Sequence, residues 1–110
     1  MVKIKRFDVF LVNLDPTIGS EIKKTRPAVI ISPDSMNLSR LKTVIIAPMT
    51  STIKDNFPTR ILTEFKDKMG QIALDQLRSI DRTRIVKKLG VIDREAQIKV
   101  LDLLSIIFQK

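Results

Sequence analysis

The sequence predicts a mainly β protein of the α+β class, a small and strongly curved antiparallel sheet or barrel with a short inserted helix and a C-terminal amphipathic helix. Two observations support this fold. Short runs rich in Val, Ile and Phe are bounded by Pro, Gly, Asp and Ser, as strands commonly are, and the C-terminal segment carries an apolar stripe with helical spacing. The 110 residues suit a single domain, residues 1–110, with one core. An open α+β sandwich is the alternative.

The first three predicted strands cover residues 7–14, 27–32 and 43–49. They are apolar on both faces, which is typical of a buried parallel sheet. The connection between the first two, however, contains Pro16, Gly19 and charged residues instead of a helical pattern. Because a parallel pair needs a crossover, usually a helix, antiparallel pairing is predicted.

The next elements are a short helix and three further strands. The helix is predicted in the segment PDSMNLSRLK, with Asp34 or Ser35 as its N-cap. The strands are predicted at residues 59–63, 70–80 and 84–89, and the middle one has the strongest pattern.

The C-terminal segment predicts one amphipathic helix. Asp93 is a suitable N-cap. The apolar stripe that follows consists of Ala96, Val100, Leu103, Leu104 and Ile107. We expect this helix to close the sheet and to contribute core or dimer contacts, so none of its residues is a predicted site residue.

Charge and composition restrict the function. Twenty Lys and Arg against twelve Asp and Glu give a net charge of +8, which favours a polyanionic partner such as nucleic acid; a surface that merely keeps the protein soluble is the alternative. The absence of Cys excludes disulfides and thiolate nucleophiles, and the absence of His removes the commonest general base. Catalysis would therefore use carboxylates, hydroxyls and guanidinium groups, and we expect neither a metal nor another cofactor.

The sequence also predicts a cytoplasmic location. The N-terminal segment MVKIKRFDVFLVNL is basic and then apolar, but Asp8 and Asn13 interrupt it, so it does not resemble a signal peptide. The apolar run at residues 100–108 is too short to span a bilayer.

Three segments carry residues suited to chemistry. In GSEIKKTRPAVII, Pro27 is expected to define the start of a strand and to hold Arg26 at that end of it. Gly19 permits a turn that brings Glu21 back to the same end. A solvated hairpin loop is the alternative. In APMTSTIKD, Thr50 begins a run of hydroxyl residues after a buried strand, although such runs are also ordinary turn chemistry.

The third segment, ALDQLRSIDRTR, places Asp75 and Gln76 within an apolar strand. A carboxylate there must be paired or must face a groove. The following basic segment, residues 78–88, holds five cations and one acid, and is predicted to track a phosphate backbone unless it is only a solvated face.

Four blocks occur in the same order and spacing as in a known family: FDVFLVNLDPTIGSE, TRPAVIISP, APMTS and LDQLRSID. On these blocks, over nearly its whole length, the chain resembles the MazF/PemK-type mRNA interferases, toxins of bacterial toxin–antitoxin pairs. The resemblance implies an SH3-like barrel, usually a homodimer, that cleaves single-stranded RNA at short sequences without a metal or the ribosome and is inhibited by an acidic antitoxin.

The resemblance also implies site residues. Arg26 and Thr50 match the principal catalytic pair, and Glu21 and Asp75 match carboxylates that some members need. RNA cleavage through its own 2′-hydroxyl needs a proton acceptor and stabilisation of the phosphorane, but no protein nucleophile. We assign stabilisation to Arg26 with help from Thr50, the base to Glu21, and to Asp75 either a second base or the orientation of Arg26.

The predicted RNA-binding residues lie in the loops around this pair, and aromatic side chains for base stacking are scarce. They are Ser20, Lys24, Ser51, Lys54, Asn56, Gln76 and Arg78. Two positions depart from some relatives, because Ser20 replaces a histidine and Ala73 an arginine, so the mechanism of those relatives does not transfer whole.

Two other functions remain open at this stage. One is a toxin of the same scaffold that poisons DNA gyrase by contact, and the other is a silent SH3-like nucleic-acid-binding module. The pairing of Arg26 with Thr50 disfavours the gyrase poison, because a protein that only binds has no need of it. The silent module is distinguished by whether Arg26→Ala abolishes toxicity while leaving RNA binding nearly intact.

Overall fold

The computed structural model describes residues 3–110 and contains seven strands and two α-helices. In chain order these are β1 (Asp8–Asn13), β2 (Thr25–Ile30), α1 (Asp34–Asn37), β3 (Thr43–Thr50), β4 (Arg60–Phe65), β5 (Lys68–Ala73), β6 (Arg78–Asp81), β7 (Ile85–Val91) and α2 (Arg94–Ile107). Short 3₁₀ turns, Leu74–Gln76 and Arg82–Arg84, flank β6. The predicted elements are present with small shifts at their ends, except that two strands and the turn between them replace the single strand predicted at residues 70–80.

All strand pairs are antiparallel, and β3 is the centre of the sheet. The strand order is β4-β5-β3-β2-β1-β7, and β6 also pairs with β3. The first half of β3 pairs with β6, from Thr43 to Ile46, while its end pairs with β5 at Met49 and Thr50. Since β5 and β6 use different halves of the same edge of β3, the chain leaves the sheet between them.

The break between β5 and β6 corrects the prediction of one strand over residues 70–80. The 3₁₀ turn Leu74–Gln76 occupies its middle. Leu74 is buried within that turn, so the apolar pattern continues through the break and gives no sign of it. Asp75 consequently lies on a turn and not inside a strand.

The buried residues form two clusters, one on each face of the sheet, instead of the single core expected. Neighbouring residues of one strand alternate between them, as the pleat requires. Val9 packs with Val100 of α2 in the first cluster, whereas Phe10 packs with Ile46 and Leu14 in the second.

The two helices begin differently. Asp93 caps α2 as predicted, because its side chain accepts a hydrogen bond from the backbone N–H of Ala96 at 2.8 Å. The predicted side-chain cap of α1 is wrong. The residue before that helix is Pro33, without a side-chain cap, and Asp34 Oδ1 instead accepts from the backbone N–H of Arg6 at 2.7 Å.

The sheet curls into a half-barrel, which confirms the predicted fold class. Its outer strands are β4 and β7. A Cβ at Gly90 of β7 would lie 3.1 Å from Cζ of Phe65 of β4, so a glycine lets the two edges approach. Among residues 3–110, no helix is long and apolar enough to cross a membrane.

Candidate functional site

Arg26 and Thr50 lie on the neighbouring strands β2 and β3. The last pair that these strands share is Ala28 with Pro48. Arg26 precedes Ala28 by two residues and Thr50 follows Pro48 by two, so in this antiparallel pair both lie just beyond the last shared position, at the same end of the two strands. Residues two apart in a strand share a face. Both side chains are half-buried, at the end where the two strands separate.

A cavity of about 210 Å³ lies near the end of β3, although neither Arg26 nor Thr50 lines it. Pro48, two residues before Thr50 on the same face of β3, forms part of its wall. Its lining contains four of the predicted site residues, and the full set is Glu21, Ile22, Pro48, Asp75, Gln76, Leu77 and Arg78. Pockets for whole small molecules typically measure roughly 300–1,000 Å³, so this smaller cavity suits one group of a larger ligand.

Gln76 and Arg78 hold the β1–β2 loop over the cavity. Gln76 Oε1 accepts a hydrogen bond from the backbone N–H of Ile22 at 2.7 Å, and its Nε2 donates to the carbonyl oxygen of Ser20 at 3.4 Å. Arg78 Nη1 donates to the carbonyl oxygen of Leu14 at 3.0 Å. Both residues therefore support the loop that carries Glu21, and their contact with RNA stays a prediction.

Glu21 and Arg26 are braced by the backbone of their own loop. Glu21 Oε1 accepts from the backbone N–H of Ile18 at 2.6 Å, across a turn in which Gly19 has a φ of 60°. Such a left-handed conformation is easy for glycine and costly for other residues. Arg26 Nε donates to the carbonyl oxygen of Lys23 at 2.7 Å. This bond fixes the guanidinium group through Nε, and the prediction that Gly19 provides the turn is consistent with the observed φ.

The remaining residues predicted from these two loops are exposed. They are Ser20, Lys24, Ser51, Lys54 and Asn56. Lys24 has a φ of 73°, and its backbone N–H donates to Asp15 Oδ1 at 3.1 Å. Thr50 Oγ1 accepts from the backbone N–H of Thr52 at 3.1 Å, so its hydroxyl hydrogen is available for another acceptor.

Gln71 is a supporting residue that the sequence analysis missed. It is buried in β5 opposite Thr50. Its Oε1 accepts from the backbone N–H of Lys54 at 3.1 Å, and its Nε2 donates to the carbonyl oxygen of the same residue at 3.2 Å. Gln71 thereby holds the β3–β4 loop as Gln76 holds the β1–β2 loop. An amide within the apolar strand segment GQIAL was the available signal, because a buried polar group needs partners.

Gly70 lets β5 pass close to the carbonyl group of Thr50. A Cβ at Gly70 would lie 2.7 Å from the carbonyl oxygen of Thr50. No side chain fits at that distance without a shift of the backbone. The position of Thr50 therefore depends on a residue of the neighbouring strand.

Asp75 orients Arg60 and not Arg26. Its Oδ1 and Oδ2 accept hydrogen bonds from Arg60 Nε and Nη2 at 2.8 and 3.2 Å. Burial raises the pKa of Asp75, but hydrogen bonds from Arg60 and from its own backbone, the charge of Arg60 and a hydrogen bond from Thr59 outweigh this, so the pKa lies below its ordinary value. A carboxylate held in this way is a weak base, and the suggested contact with Arg26 is replaced by one with Arg60.

The cations of the basic segment, residues 78–88, also act within the protein. Arg78, Arg82 and Arg84 donate hydrogen bonds to backbone carbonyl oxygens of other segments. Lys88 Nζ lies 3.4 Å from Oδ1 of the buried Asp8. Four of the five cations thus stabilise the fold, which leaves the predicted role in tracking phosphate without support from their contacts.

A larger groove of about 1170 Å³ lies elsewhere on the molecule. None of the predicted site residues lines it. Its lining consists of Lys3, Ile4, Asn37, Leu38, Ser39, Arg40, Leu41, Lys42, Asp81, Arg82, Thr83 and Ile85. Within residues 3–110, no group of three carboxylates is placed to hold a metal ion, in either concavity or elsewhere.

The curled sheet with its terminal helix is the fold of a class of small bacterial toxins. MazF from Deinococcus radiodurans superposes with a TM-score of 0.84 over 100% of both chains, at 21% identity. An endoribonuclease from Mycobacterial species, solved in complex with its cognate antitoxin, superposes with a TM-score of 0.76 over 94% of this chain and 92% of the other, at 18% identity. At these identities the likeness shows the fold.

Sequence comparison identifies the family. Residues 5–108 match the model of the PemK-like, MazF-like toxins of type II toxin–antitoxin systems, and the chain belongs to this family. Endoribonuclease MazF of Staphylococcus epidermidis is 39% identical, over 94% of this chain and 89% of the relative. The resemblance inferred from the four sequence blocks is thus confirmed.

Proposed function

We propose that this protein is a cytoplasmic endoribonuclease toxin that cleaves single-stranded mRNA at a specific short sequence, independently of metal ions and of the ribosome. The observation that supports the proposal is that the pairing of β2 with β3 brings Arg26 and Thr50 to the same end of the two strands, where Pro48 of β3 and Glu21 line a small cavity. The similarity to Endoribonuclease MazF of Staphylococcus epidermidis, at 39% identity, supports the same reaction.

In the proposed reaction the 2′-hydroxyl gives its proton to a base and its oxygen bonds to the adjacent phosphorus. The bond from phosphorus to the 5′-oxygen breaks and that oxygen takes a proton from solvent, which leaves a 2′,3′-cyclic phosphate and a 5′-hydroxyl. Negative charge develops on the phosphorane, and a guanidinium group matches it with two parallel donors. Arg26 Nε already donates a hydrogen bond to the carbonyl oxygen of Lys23. The Nη groups of Arg26 are therefore the proposed donors to the phosphorane. Thr50 donates its hydroxyl hydrogen to a phosphate oxygen, and Ser51 is placed next in the chain to assist.

Glu21 is the proposed general base. It lines the cavity, and only its Oε1 is used by the loop backbone. Asp75 is the weaker candidate, because both of its oxygens accept from Arg60 and its pKa is lowered. We assign Asp75 the positioning of Arg60 instead.

The proposed partners are RNA, a second copy of this chain and an acidic antitoxin. The net charge of +8 favours both polyanionic RNA and an acidic protein. A structural relative was solved with its cognate antitoxin, which supports a partner of this kind. Exposed loop residues such as Lys24, Lys54 and Asn56 are proposed to contact the RNA.

The test is cleavage of end-labelled single-stranded RNA in excess EDTA by the parent, Arg26→Ala and Thr50→Ala. Arg94→Ala is the matched control, because Arg94 is exposed at the start of α2 and is outside the three ion pairs found among residues 3–110. We expect discrete cuts by the parent and the control, and a loss of at least about 100-fold in the two site variants, as for removal of one stabilising donor. Equal cutting by all four proteins would refute the site. Intact RNA with inhibited gyrase would favour a gyrase poison, and binding without cutting a silent module.

A further inference from the structure

Phe57 is an exposed aromatic side chain in the β3–β4 loop, and two cations lie close to its ring. Lys54 Nζ lies 5.5 Å and Arg60 Cζ 5.4 Å from the centroid of its ring, and 42% of Phe57 is exposed. The geometry points to Phe57 as a stacking platform for one nucleobase of the bound RNA. The inference rests on the proposed function, since it requires an RNA ligand.

The ring has a rigid support. The carbonyl oxygen of Phe57 accepts a hydrogen bond from the backbone N–H of Arg60 at 3.1 Å, across a turn with Pro58 in its second position. The guanidinium group of Arg60 is held by Asp75, and the Arg60 side chain is only 7% exposed. A platform that is ordered before binding loses little conformational freedom when a base stacks on it.

Lys54 differs from Arg60 in its freedom to move. Gln71 holds its backbone, but among residues 3–110 its ammonium group forms no salt bridge. The flexible side chain can therefore turn from the ring to a neighbouring phosphate when a base arrives. Cation, aromatic ring and backbone charge are then combined as in other single-strand binding sites.

Two chains of contacts connect Phe57 with the proposed reaction centre. One runs through Arg60 to Asp75, which lines the cavity. The other runs through the backbone of Lys54 to Gln71, the partner of Thr50 in the sheet. Thr50 ends β3 and Phe57 belongs to the loop that follows it, so the inference is that a base on Phe57 and a phosphate at Thr50 belong to one short stretch of RNA.

The test uses the absence of tryptophan and tyrosine from the sequence. In Phe57→Trp the indole is the only strong fluorophore, and a base stacked on it quenches its emission. Phe108→Trp is the matched control, because Phe108 is 74% exposed at the end of α2 and is outside the three cation–ring contacts found among residues 3–110. Titration with a 2′-O-methyl RNA, which cannot be cleaved, is expected to quench the first variant and not the second.

Binding affinities provide a second readout. Phe57→Ala and Phe57→Leu are expected to bind the same RNA about 10-fold more weakly than the parent, while Phe57→Trp binds at least as well, because every base has a face for stacking and leucine has none. In a series of RNAs that each lack one base, removal of the base that stacks on Phe57 should weaken binding by the parent. The same RNA should bind Phe57→Ala no more weakly than the complete RNA does. Thermal melting of each variant identifies a loss caused by unfolding, and Phe57→Leu retains the apolar bulk.

The outcomes separate this inference from the proposed function. Cleavage by the parent together with unchanged binding by Phe57→Ala, or no quenching at position 57, would overturn the platform alone. A parent protein that neither binds nor cleaves RNA would overturn both. Weakened binding of an acidic antitoxin with unchanged RNA binding would identify Phe57 as a protein contact and would likewise overturn the inference.

Discussion

Asp75 accepts two hydrogen bonds from the guanidinium group of Arg60, from Nε at 2.8 Å and from Nη2 at 3.2 Å. The two residues are 15 positions apart in the sequence. One belongs to the turn after β5 and the other begins β4, so the pair links the wall of the cavity to the β3–β4 loop. Because Arg60 lowers the pKa of Asp75, the contribution of this pair to stability depends on pH and can be measured by denaturation.

The first prediction concerns the pH dependence of stability. The folded-state pKa of Asp75 is below its ordinary value of 3.8, so its contribution is fully present above that value and is lost as pH falls through the folded pKa. Urea denaturation from pH 7 to pH 2.5 should show the parent more stable than Asp75→Asn at neutral pH, with a difference that shrinks in acid. Arg60→Ala should reduce this pH-dependent difference, because Arg60 is one of the groups that lower the pKa of Asp75. A gap that persists unchanged at pH 2.5 would contradict the assignment.

The second prediction concerns Gln71. Gln71→Leu leaves the backbone N–H and C=O of Lys54 without their side-chain partners, which should lower the free energy of unfolding by about 1–3 kcal/mol. Hydrogen exchange at the Lys54 amide should become faster, and urea denaturation measures the loss. Gln109→Leu, at an exposed position after α2, should change stability by less than about 0.5 kcal/mol. Unchanged exchange at Lys54 would show that the clamp does not hold the loop.

The third prediction concerns Gly70. Gly70→Ala places a Cβ against the carbonyl oxygen of Thr50, and the resulting shift should cost about 1–3 kcal/mol of stability. Because small displacements at a reaction centre are expensive, single-turnover cleavage should fall by about 10- to 100-fold at 25 °C. Circular dichroism establishes the folded fraction. If Gly70→Ala is destabilised but cleaves RNA at the parent rate, either β5 shifts without displacing Thr50 or Thr50 takes no part in the reaction.

The fourth prediction concerns salt. Binding of a non-cleavable RNA should weaken as salt rises, because each cation–phosphate contact releases a counterion. In Arg26→Ala the slope of log K against log salt should become shallower by about 0.7, the value for one contact with a single strand. Arg94→Ala should keep the parent slope. Equal slopes in all three proteins would place Arg26 away from the phosphate.

Local sequence patterns were sufficient for most of the secondary structure. The first three strands and α2 were predicted because alternation, bounding prolines and the Asp93 cap act over a few residues. The strand at residues 70–80 was wrong because Leu74 continues the apolar pattern through a turn. The N-cap of α1 was wrong because Asp34 binds the distant backbone of Arg6.

The candidate site divides in the same way. Arg26, Thr50, Glu21 and Asp75 were selected from motifs in the linear chain, and the pairing of β2 with β3 brings the first two to the same end of these strands. The partner of Asp75, however, is Arg60, which no motif indicated.

The sequence by itself determined the family, the order of the strands along the chain and the residue types available for chemistry. The tertiary structure decided which residues support them: Gln76 binds Ile22 across 54 positions and Gln71 binds Lys54 across 17. These contacts depend on how the sheet is built around β3, which pairs with β6 along its first half and with β5 at its end. The energy of such contacts depends on distance in space, and the linear pattern of apolar residues does not predict which distant residues become neighbours.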